Sequence, residues 1–159
     1  MSNSAKQKDE ELSVFKTFMR VCEYKIITGS IVLQDPPKPD IFCKLETGVS
    51  IEFELTNAVD SGVAQKMNDK KIIDKGGFCG EPIESVILDK NRKLKEGKYE
   101  VGADHIELLV YMGCMPLFPH FKRTIPDFLE RNKAEWVFNR IWIFQENQLA
   151  SRILWSYPK

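Results

Sequence analysis

The amino-acid sequence predicts a single α/β domain with a mixed central sheet flanked by helices and a C-terminal β-hairpin. Three patterns carry this prediction. Apolar residues recur at steps of three and four after Lys8, apolar and polar residues alternate over Val49–Thr56, and residues 106–112 (IELLVYM) are nearly all apolar. These patterns are typical of an amphipathic helix, a half-buried strand and a strand covered on both faces.

The N-terminal half is predicted to be a helix followed by three strands. A disordered tail at residues 1–7 precedes a helix from about Lys8 to Ile26. The strands are expected at residues 31–33, 40–45 and 49–56, and Gly48 suits a hairpin turn between the last two. The prolines at positions 36, 37 and 39 exclude a helix between the first two strands. A short helix is predicted over about residues 63–73.

The C-terminal half is predicted to alternate helices with strands. A second long helix spans Glu81–Glu96, with Pro82 in its first turn and Gly97 at its end. A strand at residues 106–112, a short helix opening at residues 124–127 and a hairpin of strands at residues 136–144 and 150–155 complete the chain. Alternation of this kind favours helices packed on a mixed sheet. The whole is predicted to be one domain over residues 8–159.

Composition and charge limit the classes of function. The 159 residues suit one domain, and 23 basic residues balance 23 acidic ones, giving a net charge of zero. This balance argues against a basic coat protein for nucleic acid, yet it allows an enzyme that grips a phosphate backbone with one local patch. The polar N-terminus and the lack of an apolar run of ~20 residues predict a cytoplasmic protein without a membrane span. Four widely spaced cysteines predict reduced thiols instead of a zinc site.

Three acidic residues carry the most chemical information: Asp40, Glu52 and Glu54. Because side chains alternate along a strand, Glu52 and Glu54 share one face, about 7 Å apart, and the hairpin brings Asp40 alongside. Two such charges ~4 Å apart repel by roughly 4 kcal/mol at an effective dielectric near 20. A bound Mg²⁺ or Mn²⁺ relieves this repulsion best, because both prefer hard oxygen ligands. The same alternation is also typical of an ordinary half-exposed strand with solvated glutamates, so both interpretations stay open.

Pro39-Asp40, followed after eleven residues by Glu52-x-Glu54, resembles the motif of the PD-(D/E)XK, or restriction-endonuclease-like, nuclease superfamily. The resemblance in element order extends over about Glu10 to Tyr111, including the lysine-rich segment 87–94 and the strand after it. It implies an αβββαβ core, Mg²⁺ or Mn²⁺ as cofactor, and hydrolysis of phosphodiester bonds in nucleic acid, with DNA as the favoured substrate.

Carried over by position, the resemblance makes Asp40 and Glu52 metal ligands, while Glu54 stands where the family has its lysine. This departure leaves several explanations open. Glu54 is a further ligand or a base, or the register is Glu54-x-Thr56 with Glu52 outside the pattern, or the site is degenerate and inactive.

A lysine that reaches the site from a helix is a further explanation, with Lys66 and Lys90 as candidates. The family's first helix often contributes a glutamate toward the metal, and Glu11 is preferred to Glu23 for this role. The most basic stretch of the chain, which either grips phosphates or forms a solvated helix face, comprises Lys90, Arg92, Lys93, Lys95 and Lys98.

Two classes of function therefore follow from the sequence. The favoured one is a Mg²⁺- or Mn²⁺-dependent deoxyribonuclease. The alternative is a catalytically inactive module on the same fold that binds nucleic acid or a protein partner. Assembly as a homodimer or within a larger complex stays open.

Overall fold

The computed structural model of the chain describes residues 3–58, 81–113, 121–147 and 150–158. The helix expected over residues 63–73, and with it Lys66, lies outside these ranges. The described residues form helices α1 (Asn3–Val21), α2 (Glu81–Lys95) and α3 (Phe121–Arg131), and strands β1 (Val32–Leu33), β2 (Ile41–Lys44), β3 (Ser50–Asn57), β4 (His105–Met112), β5 (Arg140–Gln145) and β6 (Arg152–Tyr157).

The six described strands form one sheet in the order β1-β2-β3-β4-β5-β6. Strand β2 is antiparallel to both of its neighbours, β3, β4 and β5 run parallel, and β6 is antiparallel to β5. The predicted α/β class with a mixed central sheet is thus confirmed. The antiparallel β5–β6 pair corresponds to the predicted C-terminal hairpin.

Helices cover both faces of the sheet. On one face, Phe15 and Phe18 of α1 pack against Phe53, and the Phe18 ring also lies 5.2 Å from that of Trp142. On the other face, apolar residues of α2 and α3, including Ile83, join those of β4 and β5 in a second core. Each such large apolar side chain contributes about 1.5–3 kcal/mol when it is fully buried. Strands β3 and β4 therefore present one row of side chains to α1 and the alternate row to α2.

The first helix differs from its predicted bounds at both ends. It begins at Asn3, so residues 3–7, expected as a tail, are helical. No proline or glycine interrupts this stretch, and the Gln7 amide donates to Glu11 Oε1 at 2.9 Å, one turn further on. The helix ends at Val21, five residues before the expected Ile26. Ile26 instead forms an isolated antiparallel bridge with Leu45 at the sheet.

Strand β5 begins at Arg140, and the prediction that it starts at Trp136 was wrong. Lys133–Glu135 is a 3-10 turn, and the Trp136 indole donates to the Leu129 carbonyl at 2.8 Å. The aromatic alternation before Arg140 therefore reflects contacts with α3 and not a continuous strand. Within the described ranges, no helix combines the length and apolar character needed to cross a membrane.

Candidate functional site

The β2–β3 hairpin sets Asp40 beside Glu54. Ile41 pairs with Phe53, and continuing this antiparallel register by one residue places Asp40 opposite Glu54. Strand β2 begins only at Ile41, and at this end of the pair the backbone N–H of Leu55 donates to Asp40 Oδ2 at 2.7 Å. The Asp40 carboxylate is therefore held on β3 by a backbone donor.

Glu54 is buried, with 4% of its surface exposed, on the face of β3 that α2 covers. Its Oε1 accepts hydrogen bonds from Lys90 Nζ at 2.6 Å and from the Tyr99 hydroxyl at 2.9 Å. Lys90, one of the two lysines expected to reach the site from a helix, thus contacts Glu54 from α2. Burial and the Glu54 charge raise the pKa of the Tyr99 hydroxyl, which therefore stays protonated and donates.

Glu11 of α1 completes what is here called the acidic cluster: Glu11, Asp40 and Glu54. Burial raises the pKa of Glu11, and the Glu54 charge adds to this effect, while the Gln7 hydrogen bond and Lys90 oppose it. The structure thus places Glu11 within electrostatic reach of Glu54. Glu23, the alternative glutamate of the first predicted helix, instead forms an ion pair with Arg140.

The acidic cluster has more negative charge than its surroundings balance. Burial raises the pKa of Asp40 to about 7, the charges of Glu54 and Glu11 add to the rise, and the Leu55 N–H and Lys90 oppose it. Burial by itself lowers the pKa of the Lys90 ammonium, but the Glu54 charge and hydrogen bond and the Asp40 charge outweigh burial and raise it. Lys90 is therefore protonated; its ammonium bonds to Glu54 and interacts electrostatically with Asp40 and Glu11.

Glu52 makes contacts different from those of the acidic cluster. It is 2% exposed, and its Oε2 accepts the backbone N–H groups of Gly102 at 2.8 Å and Ala103 at 3.3 Å. The strand pattern puts Glu52 and Glu54 on one face, but Glu52 is bonded to the loop before β4. The structure therefore brings together Asp40, Glu54, Lys90 and Glu11, and it directs Glu52 toward that loop.

The donor chemistry of the acidic cluster suits a hard divalent cation, because carboxylate oxygens are the ligands that Mg²⁺ and Mn²⁺ prefer. Burial is the main cause that raises the pKa of Asp40, and the charges of Glu54 and Glu11 add to the rise. Across the described ranges, however, no three His, Cys, Asp or Glu side chains form a group that could hold a metal ion. The described geometry thus offers carboxylates of which one, Glu54, is bonded to Lys90, and the described residues form no closed cage of ligands.

The remaining basic side chains of α2 are engaged with acidic ones. Arg92 and Lys93 pair with Asp89, and Lys95 pairs with Glu135. These pairs are exposed, and exposed ion pairs of this kind contribute only about 0–1 kcal/mol each. Of the basic residues on this helix, Lys90 is the one that turns toward the acidic cluster.

Tyr99 is a member of the site that the sequence did not identify. It lies in the loop after α2, where periodicity gives no information about which way a side chain points. Its one sequence signal was its position shortly after the lysine-rich segment 87–94, within the part of the chain that resembles the nuclease family. The buried Glu107 was also not identified from the sequence, although a glutamate inside the apolar run 106–112 marks an unusual position.

No protein-family model matches the chain, and it matches no curated protein and no solved structure.

Proposed function

We propose that this chain is a Mg²⁺- or Mn²⁺-dependent endonuclease that hydrolyses phosphodiester bonds in DNA, with the acidic cluster as its active site. The observation that carries the proposal is the meeting of Asp40 and Lys90, both partly buried, with the buried Glu54, where Lys90 Nζ lies 2.6 Å from Glu54 Oε1. An aspartate before one hairpin strand, a glutamate on the next and a nearby lysine are the groups that the motif resemblance calls for.

The order of the described elements supports the proposal. One helix precedes β1, β2 and β3, and α2 then leads into β4, which lies parallel to β3. This order agrees with the αβββαβ core that the resemblance implies. The hairpin that carries the acidic residues is β2–β3, as that core requires.

The register selects Glu54 as the partner of Asp40. Glu54 lies opposite Asp40 and interacts with it electrostatically, while Glu52 is bonded to Gly102 and Ala103. We therefore assign Asp40 and Glu54 as the metal ligands, which corresponds to the Glu54-x-Thr56 register. Two carboxylates are sufficient, because Mg²⁺ commonly keeps several waters and takes one or two carboxylates from the protein.

Each residue of the site then has a role that its surroundings explain. A bound Mg²⁺ lowers the pKa of its water and neutralises charge on a phosphodiester. Asp40 and Glu54 hold the cation, and Glu11 adds negative charge to the cluster. Lys90 takes the place of the motif lysine, because its ammonium stabilises charge that develops on the phosphate. Tyr99 fixes the orientation of Glu54 by its hydrogen bond to Oε1.

A non-catalytic module on the same fold is the second candidate. The observation in its favour is that Lys90 and Tyr99 already bond to Glu54 Oε1, which satisfies that oxygen without a cation. Such a module would bind DNA through phosphate contacts, with an affinity that falls as salt rises.

Cleavage of supercoiled plasmid and of single-stranded DNA tests the proposal. We expect cleavage with Mg²⁺ or Mn²⁺, and losses of at least roughly a hundredfold in Asp40→Asn, Glu54→Gln and Lys90→Met, the scale seen when one charge-stabilising group is removed from an active site. Glu46→Gln, which alters an exposed carboxylate in the hairpin turn, is the matched control. Cleavage that survives both carboxylate changes contradicts the assignment, and salt-sensitive binding without cleavage in either metal favours the module.

A further inference from the structure

The loop between α2 and β4, residues 96–104, is tied to the hairpin along its length. It is called the β4 loop here. The Glu100 N–H donates to the Pro37 carbonyl at 3.0 Å. Further on, Asp104 Oδ2 accepts the Ser50 N–H at 2.8 Å and the Ser50 hydroxyl at 2.7 Å. The β4 loop is thus fastened to the proline-rich segment and to the start of β3.

Glu52 provides the buried anchor of the β4 loop. The Glu52 side chain is buried, and its Oε2 accepts hydrogen bonds from the backbone N–H groups of Gly102 at 2.8 Å and Ala103 at 3.3 Å. A buried carboxylate is tolerated only when donors compensate for its lost hydration, and a hydrogen bond to a charged acceptor is about twice as strong as a neutral one. These two backbone donors therefore stabilise the buried Glu52 carboxylate, and the same hydrogen bonds fix the β4 loop to β3.

The anchored loop delivers Tyr99 to the acidic cluster. Tyr99 lies three residues before Gly102, and its hydroxyl donates to Glu54 Oε1 at 2.9 Å. The same oxygen accepts Lys90 Nζ at 2.6 Å. With two donors on one oxygen, the orientation of the Glu54 carboxylate depends on where the loop places Tyr99.

We propose that Glu52 is a positioning residue and not a metal ligand: by binding the N–H groups of Gly102 and Ala103, it fixes the β4 loop so that Tyr99 orients Glu54. Its effect on the cation is therefore indirect, through Tyr99. The consequence for metal binding rests on the proposed function, whereas the placement of Tyr99 does not.

Two substitutions at Glu52 separate the two roles. Glu52→Gln keeps a carbonyl oxygen that accepts the loop N–H groups but lacks the charge of a ligand, while Glu52→Ala removes the acceptor. The ring signals of Tyr99 in NMR spectra report the loop, and Tyr99→Phe assigns them among the four tyrosines of the chain. Calorimetric titration with Mn²⁺ alone reports the acidic cluster.

We expect Glu52→Ala to move the Tyr99 signals toward those of an exposed tyrosine and to weaken Mn²⁺ binding about tenfold, the scale of an outer-shell residue of a metal site. Glu52→Gln should keep the Tyr99 signals in place and hold the Mn²⁺ dissociation constant within roughly threefold of the unmodified chain, because the acceptor survives. The matched control is Glu107→Ala, which removes an equally buried carboxylate from the neighbouring strand on the opposite face of the sheet. It should leave the Tyr99 signals unchanged.

The outcomes are distinct. If Glu52→Gln abolishes Mn²⁺ binding as Asp40→Asn does, Glu52 is a ligand and the inference is overturned. If the unmodified chain binds no Mn²⁺, the proposed function fails, and the Tyr99 signals alone then decide the positioning role. Tyr99 signals that stay in place in Glu52→Ala overturn the inference in either case.

Discussion

At the scale of single residues, Asp40 is a carboxylic acid whose charged form the fold disfavours. Burial, together with the Glu54 charge, raises its pKa from an ordinary 3.8 to about 7. The folded chain therefore holds this proton more tightly than the unfolded chain does. The stability that this bound proton contributes is fully present below the unfolded pKa and is lost as the pH rises through the folded pKa. The ionisation of Asp40 therefore lowers the free energy of unfolding between about pH 4 and about pH 7.

Asp40→Asn should consequently stabilise the metal-free protein at neutral and alkaline pH. Asparagine keeps an oxygen for the Leu55 N–H but cannot ionise. The gain should be about 1–2 kcal/mol at pH 5 and about 4 kcal/mol at pH 8, because the pKa rises from 3.8 to about 7 and each unit corresponds to about 1.4 kcal/mol. Urea unfolding at both pH values measures the difference. Asp127→Asn, at an exposed position of α3, is the control and should show no such trend. A gain in Asp40→Asn that does not depend on pH would contradict the raised pKa.

The site was predictable from sequence in its residue types and less so in their arrangement. The motif pointed to Asp40 and Glu52 as ligands and to Glu54 in the place of the lysine, and it left Lys66 and Lys90 as candidate lysines. The structure brings Asp40, Glu54 and Lys90 together. Alternation alone could not choose between Glu52 and Glu54, because it assigns both to one face. The choice depends on the antiparallel register and on the path of the β4 loop, which also determines the place of Tyr99.

At the scale of elements, the β2–β3 hairpin positions the acidic residues, and its turn depends on Gly48. This glycine has a φ of +90°, a backbone conformation that side chains with a Cβ rarely adopt. No atom lies within 4 Å of a Cβ built there, so the cost of a side chain is conformational and not a clash. The turn was recognisable from sequence because glycine is the residue that such a conformation favours.

Gly48→Ala should therefore destabilise the protein by about 1–2 kcal/mol, the cost of left-handed backbone for an L-residue. Gly113→Ala is the matched control: a Cβ there also meets nothing within 4 Å, and no positive φ opposes it. The midpoints of urea unfolding give both values. Equal effects of the two substitutions would show that Gly48 is not conformationally required.

The bounds of α1 and β5 show where sequence patterns fail at this scale. Ile26 continued the apolar spacing of the first helix, yet it pairs with Leu45 at the sheet. Trp136 continued the alternation of β5, yet it packs on Phe128 with ring centroids 5.6 Å apart. In both cases an apolar residue beyond the element is partly buried against a different neighbour, and periodicity cannot distinguish this from continuation of the element.

At the scale of the whole molecule, the sheet separates two buried polar regions with different balances of charge. On the α1 face, Glu107 accepts hydrogen bonds from the Trp142 indole at 2.6 Å and the Tyr24 hydroxyl at 2.7 Å, and the Arg140 guanidinium lies 4.7 Å from the Trp142 ring centroid. Burial raises the pKa of Glu107, while these donors and the Arg140 charge lower it. This single carboxylate is thus supplied with donors and a cation from the protein itself.

The acidic cluster has three carboxyl groups to one ammonium, whereas Glu107 and Glu23 share the Arg140 guanidinium. This contrast is why a cation is proposed for the acidic cluster and none for Glu107. Sequence composition could not show the difference, because the whole chain is neutral and the imbalance is local.

Thermal unfolding with and without divalent metal tests most directly whether the acidic cluster binds a cation. Mg²⁺ or Mn²⁺ at about 100 times its dissociation constant should stabilise the folded chain by roughly 2.7 kcal/mol. That gain corresponds to a rise in Tm of about 5–10 °C for a domain of this size. The rise should disappear in Asp40→Asn and in Glu54→Gln and persist in Glu107→Gln. An unchanged Tm at millimolar metal, or an equal rise in all four proteins, would contradict a cation site in the acidic cluster.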